Sequence, residues 1–174
     1  SLQWGPMHWG HAVSENLLFW RHLPIALEPD ELGMIFSGSC VVDERNTSGF
    51  GDGSLPPMVA AYTSHRDDGE RQSIAWSGDR GRTWHKYEGN PVVSEPEFKD
   101  FRDPRIFRHE STGRWVMVVA AGDRARLYGS QDLRQWSLLS EFGPLSGLDG
   151  CVWECPDLFE LSCGSETKWV FTAS

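Results

Sequence analysis

The segment Arg102-Asp103-Pro104-Arg105 places a carboxyl group before a proline and between two arginines. Proline restricts the residue that precedes it, which predicts an extended backbone at Asp103. The guanidinium groups of Arg102 and Arg105 would favour an ionised carboxylate. The plainer interpretation is an aspartate in a turn or ion pair at the start of a strand.

A second carboxyl group, that of Glu154, stands between Trp153 and Cys155. Aromatic and sulfur neighbours would partly desolvate it and favour the protonated form, which a general acid working near neutral pH requires. The plainer interpretation is a glutamate paired with an arginine at a pocket rim. Because sugar transfer needs a carboxylic acid and a carboxylate flanking one bond, Asp103 and Glu154 together predict a glycosidase.

Three aromatic residues, Trp4, Trp9 and Phe36, could stack on the face of a sugar ring, although strand aromatics more commonly pack in a core. His8 and His11 bracket Trp9, but no third metal ligand stands nearby. We therefore expect packing or hydrogen-bonding roles for the two histidines.

The four cysteines do not form the paired spacing of a structural zinc site. Cys151 and Cys155 are close in sequence, but Cys40 is distant and no histidine is suitably placed. The sequence predicts no metal and no cofactor. Free thiols and a disulfide from Cys163 to Cys151 or Cys155 both stay open.

Composition excludes several classes of protein. The net charge is −9 with scattered basic residues, whereas a nucleic-acid-binding surface gathers lysine and arginine. No apolar run approaches the roughly 18 residues of a membrane span, and no signal peptide is visible. We expect neither nucleic acid nor membrane as a partner.

Three sequence elements recur in one order with a period of roughly 50–60 residues, which is typical of the four-stranded blades of a β-propeller. A serine, a polar turn and a tryptophan recur in Ser14–Trp20, Ser77–Trp84 and Ser130–Trp136. Apolar strands recur in Met58–Thr63, Trp115–Val119 and Trp169–Thr172. An element that precedes each strand recurs in Phe36–Val42, Phe101–Phe107 and Trp153–Phe159.

This order predicts an all-β fold in which the preceding element forms the innermost strand of each blade. Polar residues that begin the inner strands, near Ser37, Asp103 and Glu154, would then converge at the mouth of one pocket. The serine–tryptophan turns would join outer strands. The stretch Asp43–Pro57, rich in Gly, Ser, Asn and Asp, predicts a long loop that either shapes a binding site or is plain surface.

At these residues the chain resembles glycoside hydrolase family 32, the invertase, levanase and inulinase family. The matching segments run almost end to end: Trp4–Ser14, His22–Leu27, Phe36–Ser39, Phe101–Pro104 and Trp153–Asp157. The Arg-Asp-Pro and Glu-Cys motifs are weak alone and specific together. Asn46–Gly51 and Val152–Leu161 are most similar to the exo-inulinase and levanase branch.

The resemblance implies a five-bladed propeller, usually followed by a β-sandwich, and a retaining exo-β-fructosidase that acts on fructans or sucrose. It makes Glu154 the general acid/base and Asp103 the stabiliser of the transition state. Sugar-binding positions implied by the resemblance are Trp4, Phe36, Ser37 and Arg102. Cys155 would tune the pocket beside the acid. Polymeric fructans as substrate would imply a secreted or periplasmic protein.

One departure from the family is large. Its nucleophile is an aspartate in an Asn-Asp-Pro motif on the first blade, and no Asn-Asp-Pro occurs in this sequence. We therefore expect residues 1–174 to be a partial catalytic propeller of roughly three blades, without the first blade, later blades and the sandwich. Such a piece would need the missing blades of its parent protein as partners and would be inactive alone.

Three other interpretations of the sequence remain. Ser77–Trp84 fits the Ser-x-Asp-x-Gly-x-Thr-Trp box of sialidases, and glycosidases of arabinan likewise place carboxylates on inner strands. A sialidase needs a tyrosine nucleophile, and none of the three tyrosines has an obvious acidic partner. The last alternative is a non-catalytic propeller that binds carbohydrate.

Overall fold

A computed structural model describes residues 5–146 and 150–174. These residues form strands joined by turns and loops, with no helix among them, so none of them belongs to a helix that could cross a membrane. The strands are β1 (Ala12–Val13), β2 (Arg21–His22), β3 (Met34–Val42), β4 (Met58–Arg66), β5 (Gly69–Ser77), β6 (His85–Lys86), β7 (Val93–Ser94), β8 (Phe101–His109), β9 (Arg114–Ala121), β10 (Arg124–Ser130), β11 (Ser137–Phe142), β12 (Asp157–Cys163) and β13 (Glu166–Thr172).

Two antiparallel sheets have the strand order predicted for propeller blades. One runs β3-β4-β5-β6, with β7 also pairing with β5, and the other runs β8-β9-β10-β11. The strand pairs β1-β2 and β12-β13 form a two-stranded sheet each. Two of the three predicted inner strands are β3 and β8, and the third, predicted from Trp153, begins only at Asp157 as β12. Strands β3 and β8 touch, because the Ser39 hydroxyl donates to the Pro104 carbonyl and accepts from the Ile106 amide, both at 2.8 Å.

Strand β9 explains why the sequence shows continuous apolar runs where an antiparallel sheet with one wet face would alternate. Trp115, Met117 and Val119 pack in the core shared with the β3–β7 sheet. Val116 and Val118 point to the opposite face and pack with residues of β12 and β13. Both faces of β9 are therefore covered, as expected for an inner part of a blade between two neighbours, whereas β11 at the edge of the sheet is exposed.

The predicted serine–tryptophan turns join β5 to β6 and β10 to β11, and a third joins β1 to β2. In the first of these, Ser77 Oγ accepts from the Gly81 amide at 2.8 Å, and Asp79 accepts from the Arg82 and Thr83 amides. Hydrogen bonds from the amide and hydroxyl of Thr83 hold the pKa of Asp79 well below its ordinary range. The turn thus satisfies its own backbone locally.

The loop predicted over Asp43–Pro57 joins β3 to β4. The Asp43 carboxylate is buried and accepts from the Thr47 and Ser48 amides. Trp115 Nε1 donates to Thr47 Oγ1 at 2.8 Å, which fastens the loop to β9. The loop follows the carboxyl end of β3, whereas Phe36 lies near the amino end of the same strand. We therefore assign the loop to the scaffold.

Candidate functional site

The inner strands and the segment before β12 surround an open pocket, as the repeat predicted. Its lining is Met7, His8, Trp9, Ile35, Phe36, Ser37, His65, Glu70, Arg102, Asp103, Glu154 and Cys155. Six of the seven predicted site residues are in this lining. The seventh, Trp4, lies outside the described residues.

A β-bulge places the site residues on both inner strands. The register of β3 on β4 shifts between Ile35 and Gly38, and that of β8 on β9 shifts between Arg102 and Arg105. The residues left over are Phe36 with Ser37 and Asp103 with Pro104. A bulge interrupts the alternation of a strand and turns its side chains in a new direction, which here is toward the pocket.

Asp103 has φ 61°, so the extended backbone predicted from Pro104 was wrong. The bulge imposes the left-handed conformation, and tertiary hydrogen bonds hold it. The Asp103 amide donates to Thr63 Oγ1 at 3.0 Å, and Oδ2 accepts from the Cys155 amide at 2.8 Å. The residue is only 8% exposed, so its carboxylate is fixed at the floor of the pocket.

Glu154 is held by its backbone, because its amide and carbonyl both pair with Ser174. Its side chain is 53% exposed, and Oε1 accepts from Arg102 Nη1 at 2.9 Å. Trp153 instead packs into the core beneath β9 and is 5% exposed. The predicted desolvation of Glu154 was therefore wrong for this chain, and its plainer interpretation as a glutamate paired with an arginine describes the geometry.

Arg102 connects three carboxylates of the site and does not serve mainly as a neighbour of Asp103. Its Nε donates to Glu70 at 2.9 Å, and its Nη groups donate to Glu154 and Asp100. Burial opposes its charged form, but bonds to Glu70 and then to Glu154 and Asp100 outweigh burial and raise the pKa of Arg102 above its ordinary value.

Arg105 points to a different partner, since its Nε donates to Asp157 at 2.8 Å. The expectation from the sequence, that the charges of Arg102 and Arg105 keep the Asp103 carboxylate ionised, stays a prediction. Both side chains belong to ion pairs with other carboxylates, and Asp103 is held by the amide of Cys155 instead.

Cys155 links the two carboxyl residues, because its amide binds Asp103 and it follows Glu154 in sequence. It has φ 48°. Burial, followed by the charge of Asp103, raises the pKa of its thiol. All four cysteines are free, so neither disulfide that the sequence left open is formed.

Aromatic rings form the opposite wall. Phe36 stacks on His65 with centroids 4.2 Å apart and planes 6° from parallel. Trp9 Nε1 donates to the Phe36 carbonyl at 2.8 Å, and the Trp9 ring packs edge-on against Tyr62. His8 Nδ1 bonds to the Pro6 carbonyl at 3.0 Å, the hydrogen-bonding role expected of it.

Sequence reasoning missed two polar residues of the pocket, His65 and Glu70. They are cross-strand partners on the β4–β5 hairpin. Because the residues between them, Arg66, Asp67 and Asp68, are charged, the sequence suggests a solvated turn and gives no reason to place His65 and Glu70 in a pocket. The signal in the sequence was Gly69, because a glycine beside a short polar stretch favours a hairpin turn that pairs His65 with Glu70. In the structure Gly69 begins β5 with φ 131°.

The arrangement combines a buried carboxylate, an accessible carboxyl group, an arginine and an aromatic wall, which suits a sugar ring with its hydroxyls and apolar face. Among the residues that the structure describes, no group of three or more His, Cys, Asp or Glu side chains could hold a metal ion.

Comparison with known proteins gives consistent matches. The chain is 58% identical to a levanase of Bacillus subtilis over 99% of its own length and 26% of that protein. It superposes with TM-score 0.86 and 41% identity on the crystal structure of Aspergillus awamori exo-inulinase, covering 98% of the chain and 38% of that structure. It superposes with TM-score 0.87 and 42% identity on the structure of a Schwanniomyces occidentalis fructofuranosidase complexed with fructose, covering 97% of the chain and 34% of that structure.

The chain thus spans between about a quarter and two-fifths of the length of these three relatives. The all-β, five-bladed propeller class predicted from the repeat and the resemblance is confirmed by these structural neighbours. The family described as "Glycosyl hydrolases family 32 N-terminal domain" matches residues 1–174. The chain therefore belongs to glycoside hydrolase family 32.

Proposed function

We propose that this chain is part of the catalytic propeller of a retaining exo-β-fructosidase that removes terminal fructose from fructans or sucrose. The observation that carries the proposal is the convergence of Asp103 and Glu154 on one pocket from neighbouring inner-strand positions. The Cys155 amide and the Arg102 guanidinium fix the two carboxyl groups relative to each other. The names of the relatives, levanase, exo-inulinase and fructofuranosidase, support fructose as the sugar.

In this proposal Glu154 protonates the leaving oxygen and later activates water. Its exposed side chain on the rim suits an exchange of protons with solvent. Asp103, buried and fixed, accepts hydrogen bonds from the fructose hydroxyls and stabilises the positive charge that develops on the ring.

The proposed sugar-binding surface consists of Phe36, Ser37 and Arg102 with Trp4, and Cys155 tunes the pocket. Fructose presents one apolar face and several hydroxyls. The Phe36 ring, which stacks on His65, suits the apolar face of the sugar, and the N–H donors of Arg102 suit its hydroxyls.

A retaining mechanism also needs a carboxylate nucleophile about 5 Å from the acid. No Asn-Asp-Pro motif occurs in the 174 residues. We propose that the nucleophile comes from other blades of the same parent protein, so residues 1–174 expressed alone release no fructose. Fructose release by the purified chain alone would contradict this.

The sialidase alternative needs an acidic partner for a tyrosine, and the prediction that no tyrosine has one was wrong, because Tyr128 donates to Glu95 at 2.8 Å. Neither residue is in the pocket lining, so this pair does not support a sialidase site. The Ser77–Trp84 box joins outer strands, and it forms none of the pocket lining. The box is a structural hairpin in this fold. The names of the relatives favour fructans over arabinan, so carbohydrate binding without catalysis is the competing function.

The test measures fructose release from sucrose, inulin and levan by the full-length protein and by its Glu154→Gln variant. Loss of a general acid costs about 10²–10⁴-fold in rate, most for substrates with poor leaving groups. Glu166→Gln is the control, because Glu166 pairs with Lys168 on exposed β13. No release from the unmodified protein would favour the binding function, and full activity in Glu154→Gln would remove that residue from the mechanism.

A further inference from the structure

Glu70 is a buried carboxylate behind the proposed acid, on the strand β5. Its side chain is 1% exposed. Oε1 bonds to His65 Nδ1 at 2.9 Å, and Oε2 accepts from the Phe101 amide at 2.8 Å and from Arg102 Nε at 2.9 Å. Burial of a charge is costly unless it is paired and fully hydrogen-bonded, and Glu70 meets both conditions.

The bond to Glu70 fixes the orientation of the Arg102 guanidinium. A guanidinium is planar, so anchoring Nε decides where its two Nη groups point. Nη1 then reaches Glu154 Oε1 at 2.9 Å, and Nη2 reaches Asp100. One arginine thus joins Glu70, a buried carboxylate of the pocket lining, to the carboxyl group proposed as the acid.

We propose that Glu70 is a positioning residue that, through Arg102, sets both the orientation of Glu154 and its balance between protonated and ionised forms. The inference rests on the proposed function, since it assigns Glu154 the role of acid. The side chain of Glu70 is 1% exposed and bonded to His65, Phe101 and Arg102, so we assign it a role that acts through Arg102.

The mechanism is charge sharing at Arg102. When Glu70 and Asp100 are ionised, their two negative charges more than balance the single positive charge of Arg102 before Glu154 is counted. Arg102 therefore orients Glu154 without forcing it into the ionised form. Removing the charge of Glu70 leaves Arg102 to favour ionised Glu154, and less acid is then protonated at a given pH.

Other charged and titratable groups surround this pair, and each stays in place when only Glu70 is changed. They are His8 from the first segment, His65 from β4, Asp100 just before β8, Arg102 and Asp103 from β8, and Cys155 before β12.

The experiment compares pH–rate profiles of the full-length protein with and without Glu70→Gln. A glutamine can keep the bonds to Phe101 and Arg102 with its oxygen, and its amide can donate to the other tautomer of His65, so the substitution removes charge with little change in shape. We expect the alkaline limb of kcat/KM to shift to lower pH by about 0.5–1 unit. The matched control is Glu95→Gln, because Glu95 pairs with Arg126 and Tyr128 away from the pocket.

An alkaline limb that stays in place in Glu70→Gln, or one that moves equally in Glu95→Gln, would overturn the proposal. A second variant covers the case in which Glu70→Gln fails to fold. Asp100→Asn removes a carboxylate that is 31% exposed from the same arginine. We expect a shift in the same direction that is smaller, and an unchanged limb there would also overturn the charge-sharing mechanism.

A readout other than activity separates this proposal from the proposed function. Carbon-13 labelling of glutamate follows the titration of Glu154 directly, with Glu154→Gln used to assign its signal. A titration that moves to lower pH in Glu70→Gln supports the coupling even if the unmodified protein releases no fructose. A titration that does not move refutes the coupling even if fructose is released.

Discussion

The inner-strand bulges and the outer serine–tryptophan turns repeat in different ways. The bulges at Phe36–Ser37 and Asp103–Pro104 share a register shift but no residue types. The turns share residue types and hydrogen bonds: Ser77 with Asp79, and Ser130 with Asp132, each capture the amides that follow. Trp84 and Trp136 both donate from Nε1 to the carbonyl three residues earlier.

The difference separates what a blade needs from what the pocket needs. A turn closes one hairpin, and the same local chemistry closes every hairpin equally well. A bulge sets only the direction in which a side chain points, so each blade can present a different side chain to the pocket at the centre of the propeller. Function can therefore vary at the bulges while the turns keep the sheets together.

The largest expected effect comes from comparing the same substitution at a bulge and at a turn. Asp103→Asn keeps an oxygen for the Cys155 amide but removes the charge, and we expect kcat/KM of the full-length protein to fall by about 10²–10³-fold. Asp132→Asn, in the β10–β11 turn, is the control and leaves kcat/KM within about twofold. Equal losses in both variants would erase the functional distinction between bulge and turn.

A second prediction tests whether close backbone approach defines the β3 bulge. A Cβ on Gly38 would lie 2.0 Å from the Ala61 carbonyl oxygen, so strands β3 and β4 would have to separate. We expect Gly38→Ala to destabilise the propeller by about 3 kcal/mol, seen as a lower melting temperature. Gly10→Ala is the control, because nothing lies within 4 Å of the added carbon. Equal melting temperatures for Gly38→Ala and the unmodified protein would contradict the geometry of the bulge.

A third prediction compares two turns of the same sequence type. Ser77 is buried, and Ser77→Ala leaves the buried Gly81 amide without its acceptor, which costs about 1–3 kcal/mol. Ser14 makes the equivalent bonds in an exposed turn, so we expect Ser14→Ala to cost less than about 0.5 kcal/mol. Thermal melting of both variants measures the difference. Equal costs would mean that burial does not decide the strength of these turns.

This contrast also explains what the sequence could predict. The turns were predictable because the side chains of Ser77 and Asp79 bond to each other and to groups no more than four residues away, so the information is local. The conformation of Asp103 was not, because Thr63 and Cys155 hold it from 40 and 52 residues away. The convergence of Ser37, Asp103 and Glu154 on one pocket was predictable because the repeat shows which element opens each blade and therefore forms its innermost strand.

The partners of Arg102 lie beyond the reach of sequence reasoning for a related reason. Several carboxylates compete for one guanidinium, and only the packing of β5 against β8 brings Glu70 to its Nε. Glu70 looks like part of a solvated hairpin in the sequence. The exposure of Glu154 depends likewise on where Trp153 packs, which is decided by β9 and β13.

The smallest expected effect concerns acid stability at the β5–β6 turn. Hydrogen bonds from Thr83 depress the pKa of Asp79 in the folded protein below the unfolded value of about 3.9. The stabilisation that this depression provides is complete above about pH 5 and is lost as the pH falls through 4 toward the folded pKa. Asp79→Asn should therefore flatten the fall of melting temperature between about pH 5 and pH 3, and only slightly, because the carboxylate is solvent-screened. Asp52→Asn is the comparison, since the pKa of Asp52 is also lowered, by bonds from Ser54, but in a loop that pairs no strands. A melting curve that responds to Asp52 and not to Asp79 would show that the outer turns do not couple their hydrogen bonds to the stability of the blade.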